Sequence, residues 1–172
     1  MAKTDNILGI AYLGMGAPGD GIMGATLTEF NAVEVGSATL DGASATQNNL
    51  PTEQDDAYLS LNDSVTPTSL TFRLYGVTPD QAELIAGGTA TATGWQAPRT
   101  VPNIYLSVQL KGQPIQGKVA VLNFPYAKVS ARQQGTITKN ALPAWEVTVT
   151  ANTPISAAEV EGAPYEWDVE NE

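Results

Sequence analysis

The chain has 172 residues, a length that predicts one domain with a sizeable core. It contains no cysteine and no histidine, which excludes disulfides and metal sites built on thiolate or imidazole, and suits synthesis inside a cell. The net charge of −10 is uneven: residues 1–99 hold three basic and eleven acidic side chains, residues 100–152 five and one, and residues 153–172 none and six. This balance excludes phosphate binding by charge and favours solubility, but the opposed blocks could also pair one copy with another.

The first 24 residues are apolar and rich in glycine, and we treat them as an N-terminal arm. Residues 7–13 could form a strand, and residues 14–24 are expected to be a loop. The run GMGAPG matches the dinucleotide pattern G-x-G-x-x-G, but Pro18 and the glycines after it prevent the helix that would bind a pyrophosphate. The arm is a poor signal peptide, and no run approaches the about 20 apolar residues of a membrane helix. We therefore expect a soluble protein.

The next part of the chain predicts strands around one long polar segment. Residues 25–40 contain strand material whose phase breaks near Asn31, where a bulge or bend is expected. Residues 41–56 have almost no apolar content and predict a long loop. That loop is either a solvated hairpin loop or a contact loop that orders on assembly. Residues 57–61 then alternate between apolar and polar and predict a strand.

Residues 69–88 combine a strand with the one convincing helix. The strand follows from the strict alternation of SLTFRL. Thr78 and Gln81 then form a capping box, Pro follows at the first helical position, and a glycine pair ends the helix, which we expect over about 78–87. So short a helix is not stable alone and should pack on a sheet. Its expected packing residues are Leu84 and Ile85.

The second half of the chain reads as further strands. Residues 104–111 alternate most cleanly, and residues 117–124 return towards them until Pro125 ends the run or marks an edge. Residues 126–139 predict a hairpin, and residues 145–151 predict the last good strand.

The pattern as a whole predicts a mainly β protein. We expect a β-sandwich or barrel of about seven to nine strands, with the short helix packed outside, a long loop at 41–56 and flexible termini. Residues 153–172 are acidic and poor in apolar groups, so disorder is expected there in the free protein. The chain then divides into an arm over 1–24, a β-domain over 25–152 and an acidic tail over 153–172.

The sequence contains no local motif for catalysis, a cofactor or a metal. Asp55 and Asp56 are the densest acidic pair, but neighbours on a strand point to opposite faces, so we expect a solvated strand start rather than a glycosidase pair. Ser44, Ser130 and Ser156 lie outside any nucleophile elbow. We therefore expect that the protein is not an enzyme and has no cofactor.

Four stretches carry a resemblance to a known family, and together they span most of residues 7–151. They are ILGIAYLGMGAPGDG, the polar loop before QDDAYLSL, LTFRLYGVTPDQAELIAGG, and LNFPYAKVSARQQGTITKNALPAWEVTVTA. In the order of these elements the chain resembles the major tail tube proteins of long-tailed bacteriophages, of the compact type with one β-domain. Related tubes occur in contractile tails and in type VI secretion.

The resemblance implies a structural role. Six copies would join their sheet edges into a ring, and stacked rings would form a hollow tube in the virion tail, with subunits synthesised in the host cytoplasm. The helix would lie outside, while the arm, the loop and the tail would bridge subunits or rings. Tape-measure, baseplate and terminator proteins would be partners. Genomic DNA would pass through the lumen without being bound, and no membrane would be involved.

An acidic wall would repel phosphate, so acidic residues are candidates for the lumen. From their positions we choose five carboxylates that could face it: Glu29, Glu34, Asp55, Asp56 and Asp63.

Two other classes of function remain open. One is another β-structural component of a virion, such as a tail terminator, a baseplate ring or a capsid decoration protein. The other is a carbohydrate-binding or adhesion β-sandwich, with Trp95 or Trp167 as a sugar platform, although such tryptophans are more commonly core or interface anchors.

Overall fold

The computed structural model describes residues 8–56, 58–139 and 141–171. These residues form a mainly β fold with one short helix, which confirms the predicted fold class. The described strands number twelve rather than seven to nine, because four of them are only two or three residues long. The elements are β1 Tyr12–Gly16, β2 Thr28–Glu29, β3 Thr39–Asp41, β4 Ser44–Leu50, β5 Leu59–Thr66, β6 Ser69–Leu74, α1 Pro79–Ala86, β7 Thr89–Thr91, β8 Gly94–Gln96, β9 Ile104–Lys111, β10 Lys118–Gln134, β11 Ala144–Ala151 and β12 Glu166–Asn171.

One antiparallel sheet forms the body of the molecule. Its strand order is β2-β1-β9-β10-β11-β6-β3, and β12 pairs with β10 beside this path. Two further pairs, β4 with β5 and β7 with β8, are separate two-stranded hairpins. The N-terminal and C-terminal parts of the chain therefore both supply strands to the main sheet.

Strand β10 is 17 residues long and joins two halves of this sheet. Its first half pairs with β9 and β12, and its second half pairs with β9 and β11. The register with β9 shifts between Phe124 and Ala127, a bulge that contains Pro125. The predicted break at Pro125 is therefore a bulge within a continuous strand. The bulge changes the side-chain phase, so that Phe124 and Ala127 both face the core.

The sheet curls so that its distant strands share one core. Buried apolar residues of β1 and β6 belong to the same cluster as those of β9, β10 and β11. The chain after β2 crosses the gap between β1 and β6: the Phe30 N–H donates to the Leu13 carbonyl at 2.8 Å, and the Glu34 N–H donates to the Arg73 carbonyl at 2.8 Å. The phase break predicted near Asn31 is this crossing.

Helix α1 has the ends that its sequence predicts. Thr78 caps it, the Thr78 hydroxyl accepts from the Gln81 N–H at 3.3 Å, and the Gln81 side chain accepts from the Thr78 N–H at 2.9 Å. Gly87 ends the helix at φ +72°, a conformation that glycine adopts without strain. Ile85 is fully buried and Leu84 is half-buried against the core. The helix follows the Leu74 end of β6 and covers that end of the curled sheet.

The polar segment at 41–56 is not the predicted loop. Its residues 44–50 form β4, which pairs with β5 along its whole length. Backbone pairing needs no apolar side chain, and both faces of β4 are exposed. Residues 44–50 therefore show no alternation of apolar and polar side chains from which a strand could be predicted.

The termini also differ from the prediction of flexible ends. Where a loop was expected from Gly14, strand β1 continues to Gly16 and pairs with β9, and residue 7, where the predicted strand began, lies outside the described residues. The expected disordered tail contains β12, which pairs with residues 118–123 of β10. The glycine-rich loop and the C-terminal segment also touch, since Asp20 Oδ1 accepts from the Ala157 N–H at 2.6 Å. These contacts join segments far apart in sequence.

Candidate assembly surface

The β4–β5 hairpin projects from the body with both of its faces exposed. Every described residue of the two strands is exposed. The hairpin is roughly 20 Å long at about 3.4 Å per residue. A lone two-stranded hairpin is marginally stable in water. Among the described residues, nothing covers either face of this hairpin.

One face of the hairpin carries an apolar patch close to its turn. Leu50 and Leu59 are directly opposite each other, as are Asn48 and Leu61, so the three leucines share a face. Their exposed fractions are 45%, 44% and 50%. We call Leu50, Leu59 and Leu61 the leucine patch. Exposed apolar clusters of this kind mark sites of protein contact.

The root of the hairpin is fixed to the body, whereas its turn is acidic. Thr68, which is buried, accepts a hydrogen bond from the Ala43 N–H through its hydroxyl at 3.1 Å. Its carbonyl accepts from the Ala151 N–H at 2.9 Å. The turn carries Glu53, and the two predicted aspartates follow it. The hairpin is thus held firmly at one end and presents charge and apolar surface at the other.

The end of the sheet opposite the helix is open. A cleft of about 640 Å³ lies there, lined on one side by β1, β9, β10 and β12, on the other by β3 and β6, and between them by the crossing segment, including Glu34. Its lining includes Leu13, Leu40, Leu70, Leu122 and Trp167. We call it the apolar cleft.

The five predicted lumen carboxylates do not form one group. Asp55, Asp56 and Asp63 lie on the hairpin, the first two in its turn rather than at a strand start, since β5 begins at Leu59. Glu29 is exposed on β2. Glu34 follows on the crossing segment and is half-buried.

The Glu34 carboxylate contacts two side chains, Arg73 and Tyr75. Its Oε2 lies 2.8 Å from Arg73 Nη1, and its Oε1 accepts from the Tyr75 hydroxyl at 2.8 Å. Oε2 is buried and takes no aligned hydrogen bond among the described residues, so its contact with Arg73 is ionic. The hydrogen bond to Glu34, with desolvation and the carboxylate charge, raises the pKa of Tyr75. We call Glu34, Arg73 and Tyr75 the carboxylate clasp, since it fastens the crossing segment to β6.

The two tryptophans considered as sugar platforms have different surroundings. The Trp95 indole donates to the Gly87 carbonyl at 2.7 Å and packs edge-on against Trp145, with ring centroids 5.2 Å apart. It is an anchor between the β7–β8 hairpin and the core. Trp167 is half exposed at the apolar cleft.

The serines considered for catalysis lie on separate elements. Ser44 is in β4 and Ser130 in β10, and the Ser156 hydroxyl accepts from the Val160 N–H at 3.2 Å. Within residues 8–56, 58–139 and 141–171, no group of three acidic side chains is arranged to hold a metal ion.

No protein-family model matches the chain, and a search of curated proteins finds no significant match. No helix in the described part of the chain is long and apolar enough to cross a membrane.

Proposed function

We propose that this protein is a structural subunit that assembles with copies of itself into rings, and that the rings stack into the hollow tube of a bacteriophage tail. The observation that carries the proposal is the β4–β5 hairpin: it is rooted by Thr68, exposed on both faces, and bears the leucine patch. Such a surface is unfavourable in an isolated subunit and favourable in an assembly.

The open sheet edges support the same proposal. Strands β2 and β3 end the main sheet, and each is only two or three residues long. A strand of a second copy that pairs with such an edge extends the sheet, and a head-to-tail contact closes into a ring when its rotation permits. Hexameric rings remain the expectation from the family resemblance. In the tail, tape-measure, baseplate and terminator proteins would contact the tube.

Electron microscopy of concentrated protein tests the proposal. We expect hollow tubes of uniform diameter. Single rings or trimers that do not extend would instead indicate a terminator, baseplate or decoration protein. Monomers at all concentrations, with no tail labelled by an antibody against the protein, would contradict the proposal.

Passage of DNA through the tube is a second part of the proposal, supported by the net charge of −10. Among the carboxylates considered for the lumen, Glu34 also contacts Arg73 and Tyr75, so Glu29 and Asp63 are the better positions for a test of charge alone. In phage particles, the double variant Glu29→Gln and Asp63→Asn should assemble normally but deliver DNA more slowly, because an acidic wall repels phosphate. Asp80→Asn on the helix is the matched control. Unchanged delivery by the double variant would remove both residues from the lumen.

A further inference from the structure

The apolar cleft is a part of the core in which some of the apolar side chains remain exposed. Trp167 and Leu40 line it, yet they are 50% and 43% exposed, whereas the buried residues beside them, Leu70 and Leu122, are each 2% exposed. Val169 lies two residues from Trp167, on the same face of β12, and is 40% exposed. More apolar side chains would fit between the two walls.

Both walls of the cleft carry a strand with one unpaired edge. Among the described residues, β3 pairs only with β6, and β12 pairs only with β10. An entering strand could therefore find backbone partners as well as apolar contact, as in β-strand addition. The cleft is thus better suited to a β-hairpin than to a small apolar ligand.

The hairpin of the same chain cannot reach this cleft. Only Gly42 and Ala43 separate β3 from β4, and the Ala43 N–H is bound to Thr68. None of the hairpin residues lines the cleft. The leucine patch and the apolar cleft are therefore two exposed apolar surfaces that the fold keeps apart within one copy.

One basic side chain lies on the same face of β10 as the cleft residue Leu122. Lys118 is two residues from Ala120 and four from Leu122 on β10, so its side chain lies on the cleft side of that strand. It forms no ion pair with any residue that the structure describes. The hairpin turn, which joins Leu50 to Leu59, contains Glu53 and Asp56.

We infer that the apolar cleft receives the β4–β5 hairpin of a second copy, with Leu59 and Leu61 packed against Trp167 and Leu40. The inference rests on the proposed function, because it names the contact through which copies join. The contact is heterologous: each copy offers one hairpin and one cleft, so it propagates from copy to copy.

Two complementary variants test this contact. A receptor variant, Leu59→Asp with Leu61→Asp, has an intact cleft but no leucine patch. A donor variant, Leu40→Asp with Trp167→Asp, has an intact hairpin but a blocked cleft. Each is expected to be monomeric alone by sedimentation velocity, and a mixture should give a one-to-one dimer that does not grow. Ile137→Asp, on the exposed β10–β11 loop, is the control and should assemble like the wild type.

Disulfide trapping provides a second test that needs only conservative changes. The natural chain has no cysteine, so only introduced thiols can react. Leu61→Cys and Val169→Cys should give a covalent dimer when mixed under oxidation, at least tenfold more than Ile137→Cys mixed with Val169→Cys. Circular dichroism and thermal melting of each variant verify that it is folded.

The outcomes separate the two proposals. If the wild type assembles but the mixed variants do not dimerise and the thiols do not react above the control, the inference is overturned while the proposed function stands. If the mixture dimerises and the thiols react, but the wild type forms no tube, the contact is real and the tail tube is the wrong assembly.

Discussion

At the scale of single residues, the carboxylate clasp gives Glu34 a structural role that the sequence does not reveal. Its acidic side chain and its position make Glu34 a candidate for the lumen, but its carboxylate contacts Arg73 and Tyr75. Its partner Tyr75 is 41 residues away. No local pattern predicts such a contact, because it forms only when the crossing segment spans from β1 to β6.

The clasp predicts that Glu34→Gln lowers stability. The variant loses the charge opposite Arg73, and because both side chains are partly exposed, at 36% and 29%, solvent screening limits the loss to about 1 kcal/mol. Urea unfolding monitored by tryptophan fluorescence measures it. Glu29→Gln, on the neighbouring exposed strand, should change the free energy of unfolding by less than roughly 0.5 kcal/mol. Equal effects of the two substitutions would show that the clasp contributes nothing.

Tyr75 gives the clasp a dependence on alkaline pH. Its pKa is raised in the folded state above the ordinary value of 10.0. The stability that the protonated Tyr75 contributes to the fold is therefore fully present below pH 10. It is lost as the pH rises from about 10 through the folded-state pKa, because the unfolded chain then releases the proton more readily. The melting temperature of the wild type should therefore fall more steeply above pH 10 than that of Tyr75→Phe. Parallel curves would contradict this assignment.

At the scale of elements, residues close together in sequence were enough to predict the helix. They were not enough to predict which strands pair with each other. The capping box lies within four residues, and the structure contains both of its hydrogen bonds. Alternation predicted β6, β9 and β11, since the apolar residues of each strand lie on one buried face. Strands β4 and β12 were not predicted, because both of their faces are exposed and their side chains do not alternate between buried and exposed. These strands form through backbone pairing with their neighbours.

Substitutions at the two helix positions predicted to pack on the sheet should lower the free energy of unfolding by different amounts. Ile85 is fully buried, so Ile85→Ala should destabilise the protein by about 2–5 kcal/mol. Leu84 is half-buried, and Leu84→Ala should cost less, while Leu84→Asp places a charge against the core and should impair folding or assembly. Thermal and urea unfolding of the three variants measure the order. Wild-type stability and assembly in Leu84→Asp would show that this face does not pack as described.

At the scale of the whole molecule, one end of the curled sheet is closed by packed side chains and the other end is open. The helix, with Trp95 and Trp145, covers one end of the curled sheet, whereas the apolar cleft and the hairpin root lie at the other. The fold class could be predicted from alternation, but this polarity could not. It arises from the bulge in β10 and from the attachment of β12, which depend on contacts between distant segments.

This polarity predicts a specific pattern of amide hydrogen exchange. In the free subunit, amides in the β4–β5 hairpin should exchange far faster than those in β9–β11, because the hairpin has no apolar cover and opens locally at little cost. On assembly the hairpin should become protected, and β12 should gain protection with it when a hairpin enters the cleft. Mass spectrometry of peptides covering 44–66, 104–151 and 166–171 measures both states.

Peptides from the exposed Ile137 loop serve as the internal control and should not change at the hairpin contact. A hairpin that is as protected in the monomer as the core strands would mean that it needs no partner, and the assembly proposal would then lose the observation on which it rests.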